Sequence, residues 1–113
     1  MSRQSRLLEM PPYPVEQTLR ALGANLRTAR LRRNLSLDAV GLKIGTTRQR
    51  VAEAEQGKPS VSVVVYLAMM WVYGMIDQVA ELAEPGRDRE GIALASARER
   101  RHAGAPRGLS DDF

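Results

Sequence analysis

Residues 36–58 read SLDAVGLKIGTTRQRVAEAEQGK. Two helix-sized segments flank a short glycine-containing break. Ser36 suits an N-cap, and Asp38 places a carboxylate in the turn behind it. Val40 and Ile44 give this first segment an inner face, and Gly45 ends it. Thr47 can cap a second helix over residues 48–56, closed by Gly57. Small residues are wanted where two such helices touch, and Gly41 and Ala54 meet that need. The spacing is that of a helix-turn-helix.

The second segment begins in an unusual way. Its first turn holds Arg48, Gln49 and Arg50, where a carboxylate would suit the helix dipole better. At about 100° per residue, Val51, Ala54 and Glu55 share an inner sector. Arg48, Gln49, Ala52 and Glu53 share the opposite one, and Arg50 lies near the edge. Such an outer face has the chemistry of a major-groove reader. Arg fits guanine O6 and N7, Gln fits adenine N6 and N7, and Glu accepts from cytosine N4. Arg48, Gln49 and Glu53 are therefore the candidate base-reading residues, although Glu53 serves equally as charge balance beside Arg50. Ser36, Thr46, Thr47, Arg50 and Lys58 are placed for phosphate contacts, which position a domain without reading sequence. The helix N-terminus adds outward N–H groups. The misplaced arginines make sense if that end meets a polyanion.

Charge agrees with this placement. The chain has 113 residues and a net charge of +4. Residues 1–60 carry eleven Lys/Arg against five Asp/Glu, whereas residues 61–113 carry six against eight. The basic excess thus surrounds the motif, which suggests a polyanion partner. Cysteine is absent and there is one histidine, His102, so neither a disulfide nor a metal site is expected. With no Cys, a single His and no glycine-rich phosphate loop, no catalytic site assembles. An enzyme is not expected, nor a cofactor. The opening MSRQSRLLEMPPYP lacks the apolar run of an export signal, and no stretch approaches a membrane span. The expected address is cytoplasmic.

Outward from the motif, the chain reads as helical. Residues 1–13 read as a flexible arm ending in prolines. Pro14 can open a helix that runs to about Arg33, with Leu19, Leu22, Leu26 and Ala29 at helical spacing. Ser62 can cap a further helix from Val63 to Tyr73. The stretch SVSVVVYLAMMWVYG is rich in strand formers, but its length, serine cap and glycine stop favour a helix. Met69, Met70, Trp71 and Met75 there read as core, with Trp71 alternatively facing a second subunit. Asp77 can cap a short helix over residues 78–83. Asp88 can cap a last one, to about Arg101, with Ile92 and Leu94 on its apolar side. Residues 103–113 read as a flexible tail.

The stretch LGANLRTARLRRNLSLDAVGLKIGTTRQRVAEAEQGK resembles the Xre-type helix-turn-helix domain of bacterial and phage repressors. The resemblance rests on Leu22-Gly23, Leu26-Arg27, Arg30, Leu35-Ser36, Val40, Gly45, Thr47, Val51, Glu55 and Gly57-Lys58. It covers about residues 18–83. It implies an all-α fold: a five-helix, lambda-repressor-like domain over residues 14–83, here followed by an appended C-terminal helix over residues 84–102. It also implies that Arg30 pairs with Glu55, tying the recognition helix to the scaffold. Three positions depart from the family pattern. Leu37 stands where a phosphate-contacting Gln is usual. Gly41 replaces Ala, at about 0.5–1 kcal/mol. Ala54 is smaller than the usual Ile or Leu, so the helix packs closer or leaves a gap.

Further along, Trp71-Gly74, Asp77, Leu82-Ala83, Pro85, Asp88, Gly91, Ala93-Leu94, Arg98 and Arg101 resemble small HipB-like antitoxins encoded beside HipA-type kinase toxins. That resemblance implies a homodimer that represses its own operon from a palindromic operator on double-stranded DNA and binds a kinase. Trp71, Met75 and Ile92 are the candidate residues for a dimer or partner surface. Two other classes remain open: a stand-alone regulator, and a helical interaction module without DNA binding.

Overall fold

The computed structural model describes residues 5–103. The expected tail beyond residue 103 and the first four residues of the expected arm lie outside them. The described residues are α-helical and 3₁₀-helical with intervening turns and no strand, as the motif spacing implied. The chain divides into two compact units after Val79.

In the first unit, α1 (Arg6–Glu9) is a single turn capped by Ser5, whose hydroxyl accepts from the Leu8 N–H. It interrupts what the sequence suggested was a structureless arm, and the prolines after Met10 stop it. The long α2 (Tyr13–Arg32) starts at the prolines and buries Gly23, Leu26, Ala29 and Arg30. These fall three or four residues apart, which puts them on one face. Asn34 then takes a left-handed φ of 55°, a conformation its short polar side chain tolerates, and the chain turns.

Helices α3 (Leu37–Ile44), α4 (Arg48–Glu55) and α5 (Val63–Val72) follow. Each starts on a hydroxyl. Ser36 accepts from the Ala39 N–H at 3.0 Å, Thr47 from Arg50 at 3.1 Å and Ser62 from Val64 at 3.1 Å. Gly45, at φ 85°, lets the chain leave α3 in a left-handed turn. Val40, Val51, Ala54 and Leu26 meet Tyr66, Met69 and Met70 of α5 in one core. Burial of these side chains drives the packing, at roughly 1.5–3 kcal/mol for each fully buried large one.

Several expectations need correction. The element after α5 is a 3₁₀ helix, Ile76–Glu81, rather than an α-helix over residues 78–83. It starts one residue before Asp77, so that residue does not cap it. None of its residues is fully buried, although Ile76 and Val79 pack against the core, and so short a segment gains too little from that contact to sustain an α-helix. Gly41 is not a mere loss of helix propensity. A Cβ there would stand 2.9 Å from the Thr46 carbonyl oxygen, so glycine lets the turn fold onto α3. Trp71 does not pack in the core. It is 63% exposed, as are Val63 and Val64 to a similar degree. Met75 is half-buried.

Tyr73 is buried with no hydrogen-bond partner for its hydroxyl among the described residues. Arg33 lies 5.5 Å from its ring centroid and donates to the Tyr73 carbonyl oxygen at 3.0 Å. Burial pushes the Tyr73 phenol up to about 12, helped by the Glu55 charge and opposed by Arg30 and Arg33. The unfolded chain gives up that proton near pH 10. Stability present below pH 10 is therefore lost as pH rises toward 12. Tyr73→Phe removes both this loss and the unsatisfied group. The variant should match or exceed the parent in urea denaturation at pH 7, and gain about 1 kcal/mol on it at pH 11.

The second unit contains a 3₁₀ turn, Pro85–Arg87, and α6 (Arg89–Ala103). Asp88 accepts from the Gly91 N–H at 2.9 Å. No residue of α6 is buried. Ile92 and Leu94, its expected apolar side, are exposed.

Candidate nucleic-acid interface

Helix α4 is held from one side and open on the other. Val51 and Ala54 are wholly buried, while Arg48, Gln49 and Arg50 are exposed. Glu53 is half-buried. The N–H groups of Arg48 and Gln49 lie in the first turn, where a helix supplies no carbonyl for them. Thr47 takes the next one, from Arg50.

The hold has two parts. Arg30 Nε donates to Glu55 Oε2 at 2.6 Å and Arg30 Nη2 to Glu55 Oε1 at 3.0 Å. Arg30 Nη1 donates to the Leu35 carbonyl oxygen at 2.9 Å. One guanidinium thus joins α2, the turn before α3 and the end of α4. Both side chains are under a tenth exposed. The hydrogen bond to Glu55 holds the Arg30 pKa above its ordinary value, against the opposing effect of burial. The second part is steric. A Cβ on Gly23 would lie 2.5 Å from the Ala54 carbonyl oxygen and 2.6 Å from that of Glu55. The backbones of α2 and α4 therefore touch at Gly23, and Ala54 is wholly buried.

At the open side, the candidate base readers have carboxylate neighbours. Arg48 Nε lies 3.5 Å from Asp38 Oδ1. Gln49 Nε2 donates to Glu53 Oε2 at 3.4 Å. Glu53 is thus paired with Gln49, and no ion pair joins it to Arg50 among the described residues. The Gln49 amide keeps its carbonyl and one N–H, the pair that adenine requires.

Ser36 and Thr47 use their hydroxyl oxygens as helix caps, yet each hydroxyl retains its own proton to donate. Thr46 is half-buried, and its backbone N–H donates to the Gly41 carbonyl at 2.9 Å. Lys58 is exposed. Its backbone is pinned at both ends: its N–H donates to Glu53 and its carbonyl accepts from the Tyr66 hydroxyl at 3.0 Å. Leu37 is half-buried and packs against the core, so it offers nothing to a phosphate.

Sequence reading missed Asp38 as a neighbour of Arg48. The only available signal was its place in the first turn of α3. Among the described residues, no three His, Cys, Asp or Glu side chains gather as a metal site, and no helix is long and apolar enough to cross a membrane.

A family model described as a helix-turn-helix domain matches residues 21–84. That span runs from the middle of α2 through α3, α4, α5 and the first 3₁₀ helix. No curated protein and no solved structure matches the chain.

Proposed function

The chain belongs to the helix-turn-helix domain family, and on that premise we propose that it is a sequence-specific transcriptional repressor reading double-stranded DNA with α4. One observation carries this reading. The exposed Arg48, Gln49 and Arg50 form the first turn of a helix whose far end is clamped by Arg30 and Glu55. Arg48, Gln49 and Glu53 take the base edges in this reading. Ser36, Thr46, Thr47, Arg50 and Lys58 take phosphates. The binding unit spans residues 14–83, with residues 84–102 appended. A homodimer would place two such helices in successive major grooves about 34–36 Å apart on a palindromic operator. Exposed Trp71 and half-buried Met75 in the first unit, and exposed Ile92 in the second, are the apolar residues offered to a subunit or partner.

A fluorescence-anisotropy titration against the protein's own promoter tests the reading. Affinity should fall with salt, by a log–log slope of about −0.9 for each phosphate neutralised. Arg48→Ala and Gln49→Ala should each relax base preference by about 1–3 kcal/mol. Lys58→Ala should weaken all sequences alike and reduce the salt slope by about one. Equal losses on promoter and random DNA for all three variants would sink the reading. A helical interaction module without a DNA role is the second reading, favoured by the inward packing of Leu37. The absence of salt-sensitive, sequence-dependent binding would select it.

The narrower proposal is an antitoxin role beside a HipA-type kinase. It rests on the sequence pattern from Trp71 to Arg101, and the stand-alone regulator is its alternative. Co-purification of a kinase encoded by the neighbouring gene would support the antitoxin. A neighbour that neither resembles nor binds as a kinase would leave the regulator.

A further inference from the structure

Asp38 has no part in the reading above, yet it stands beside one of its principal residues. It belongs to the first turn of α3, while Arg48 opens α4. The carboxylate meets the guanidinium on its Nε side, at 3.5 Å. Both side chains are exposed, at 78% and 64%. Neither Nη group of Arg48 hydrogen-bonds within the described residues. A guanine edge offers two acceptors side by side, and the two Nη groups form the matching fork. A carboxylate on Nε leaves that fork uncommitted and narrows the rotamers in which a long side chain would otherwise wander.

Asp38 also carries a charge of the wrong sign for its place. It lies two residues after Ser36, a candidate phosphate contact, at the same end of α3. A negative charge there opposes any DNA backbone, whatever its sequence. Aiming Arg48 helps the right site, and repelling phosphate disfavours every site. Only the first effect widens the gap between the two; the second lowers both affinities alike.

We propose that Asp38 is a positioning residue that sets sequence specificity, holding Arg48 by Nε so that its Nη groups face a guanine, while its charge lowers affinity for DNA of any sequence. This rests on the DNA-reading assignment of α4.

The test is anisotropy on the full chain with four proteins: the parent, Asp38→Asn, Arg48→Ala and the double variant. Each is titrated at one salt concentration against the promoter fragment and a random fragment of equal length. Asp38→Asn should bind the random fragment about twofold to fivefold more tightly, because one repulsive charge is gone. Its promoter-to-random ratio should fall roughly twofold to fivefold, the effect of an exposed ion pair and part of the roughly 5- to 150-fold that one bidentate contact provides. In the Arg48→Ala background the same change should leave the ratio unaltered, which a merely structural role for Asp38 would not produce. A ratio that survives Asp38→Asn, or that falls equally without Arg48, overturns the proposal while leaving the DNA reading intact. A parent protein with no preference for its promoter overturns both.

Discussion

Glu55→Ala is expected to remove about 3–5 kcal/mol of folding stability. The variant leaves Arg30 in place, only 8% exposed, with its charge uncompensated and two of its three hydrogen bonds gone. A guanidinium cannot shed its proton to escape burial. Domains of this kind have about 5–15 kcal/mol in total, so the loss takes a large share of it. Urea denaturation followed by far-UV circular dichroism measures the effect. The double variant Arg30→Met/Glu55→Leu should lose less than Glu55→Ala alone, because an apolar pair of similar bulk leaves no buried charge. A double variant worse than the single would mean that the pair itself, rather than its disruption, accounts for the loss.

Gly23→Ala should be nearly as damaging, at about 3 kcal/mol, the upper range for overpacking. Helix propensity alone predicts the opposite sign, since Ala in place of an interior Gly adds about 1 kcal/mol of stability. Contact geometry decides between them. The added methyl would lie 2.5 and 2.6 Å from two backbone carbonyl oxygens of α4. Backbone cannot swing aside as a side chain can, and the Arg30–Glu55 pair fixes that same end of α4. Relief therefore requires α4 to move away from α2. Denaturation midpoints check the sign, and DNA affinity checks the displacement. A midpoint above that of the parent would mean that the two helices part more readily than their packing implies.

Some features were legible in the sequence because they are local. A hydroxyl three residues or fewer from the N–H it caps is a short-range interaction, so Ser36, Thr47 and Ser62 marked three helix starts. Gly45, Gly57 and Gly74 marked the stops, and all three have positive φ. The facing of α4 followed from its alternation of small apolar and polar residues. The facing of α5 did not. That helix is apolar all round, so periodicity gave no means of assigning Trp71 to the surface and Met69 to the core. The uses of Gly23 and Gly41 depend on which backbones approach each other, and that is a property of the assembled helices. The Asp38–Arg48 contact likewise spans a turn and joins two helices. Its existence depends on the angle between them, which no residue pattern encodes.

The outward position of Trp71 has a practical consequence. It is the chain's single tryptophan, so all indole emission comes from one indole already largely in water. Unfolding the core in denaturant should change its wavelength little, and fluorescence would under-report melting. A molecule settling over that part of α5 should instead dry the indole and shift its emission to the blue. The same optical signal that makes a poor thermometer of folding is a built-in gauge of contact at that face.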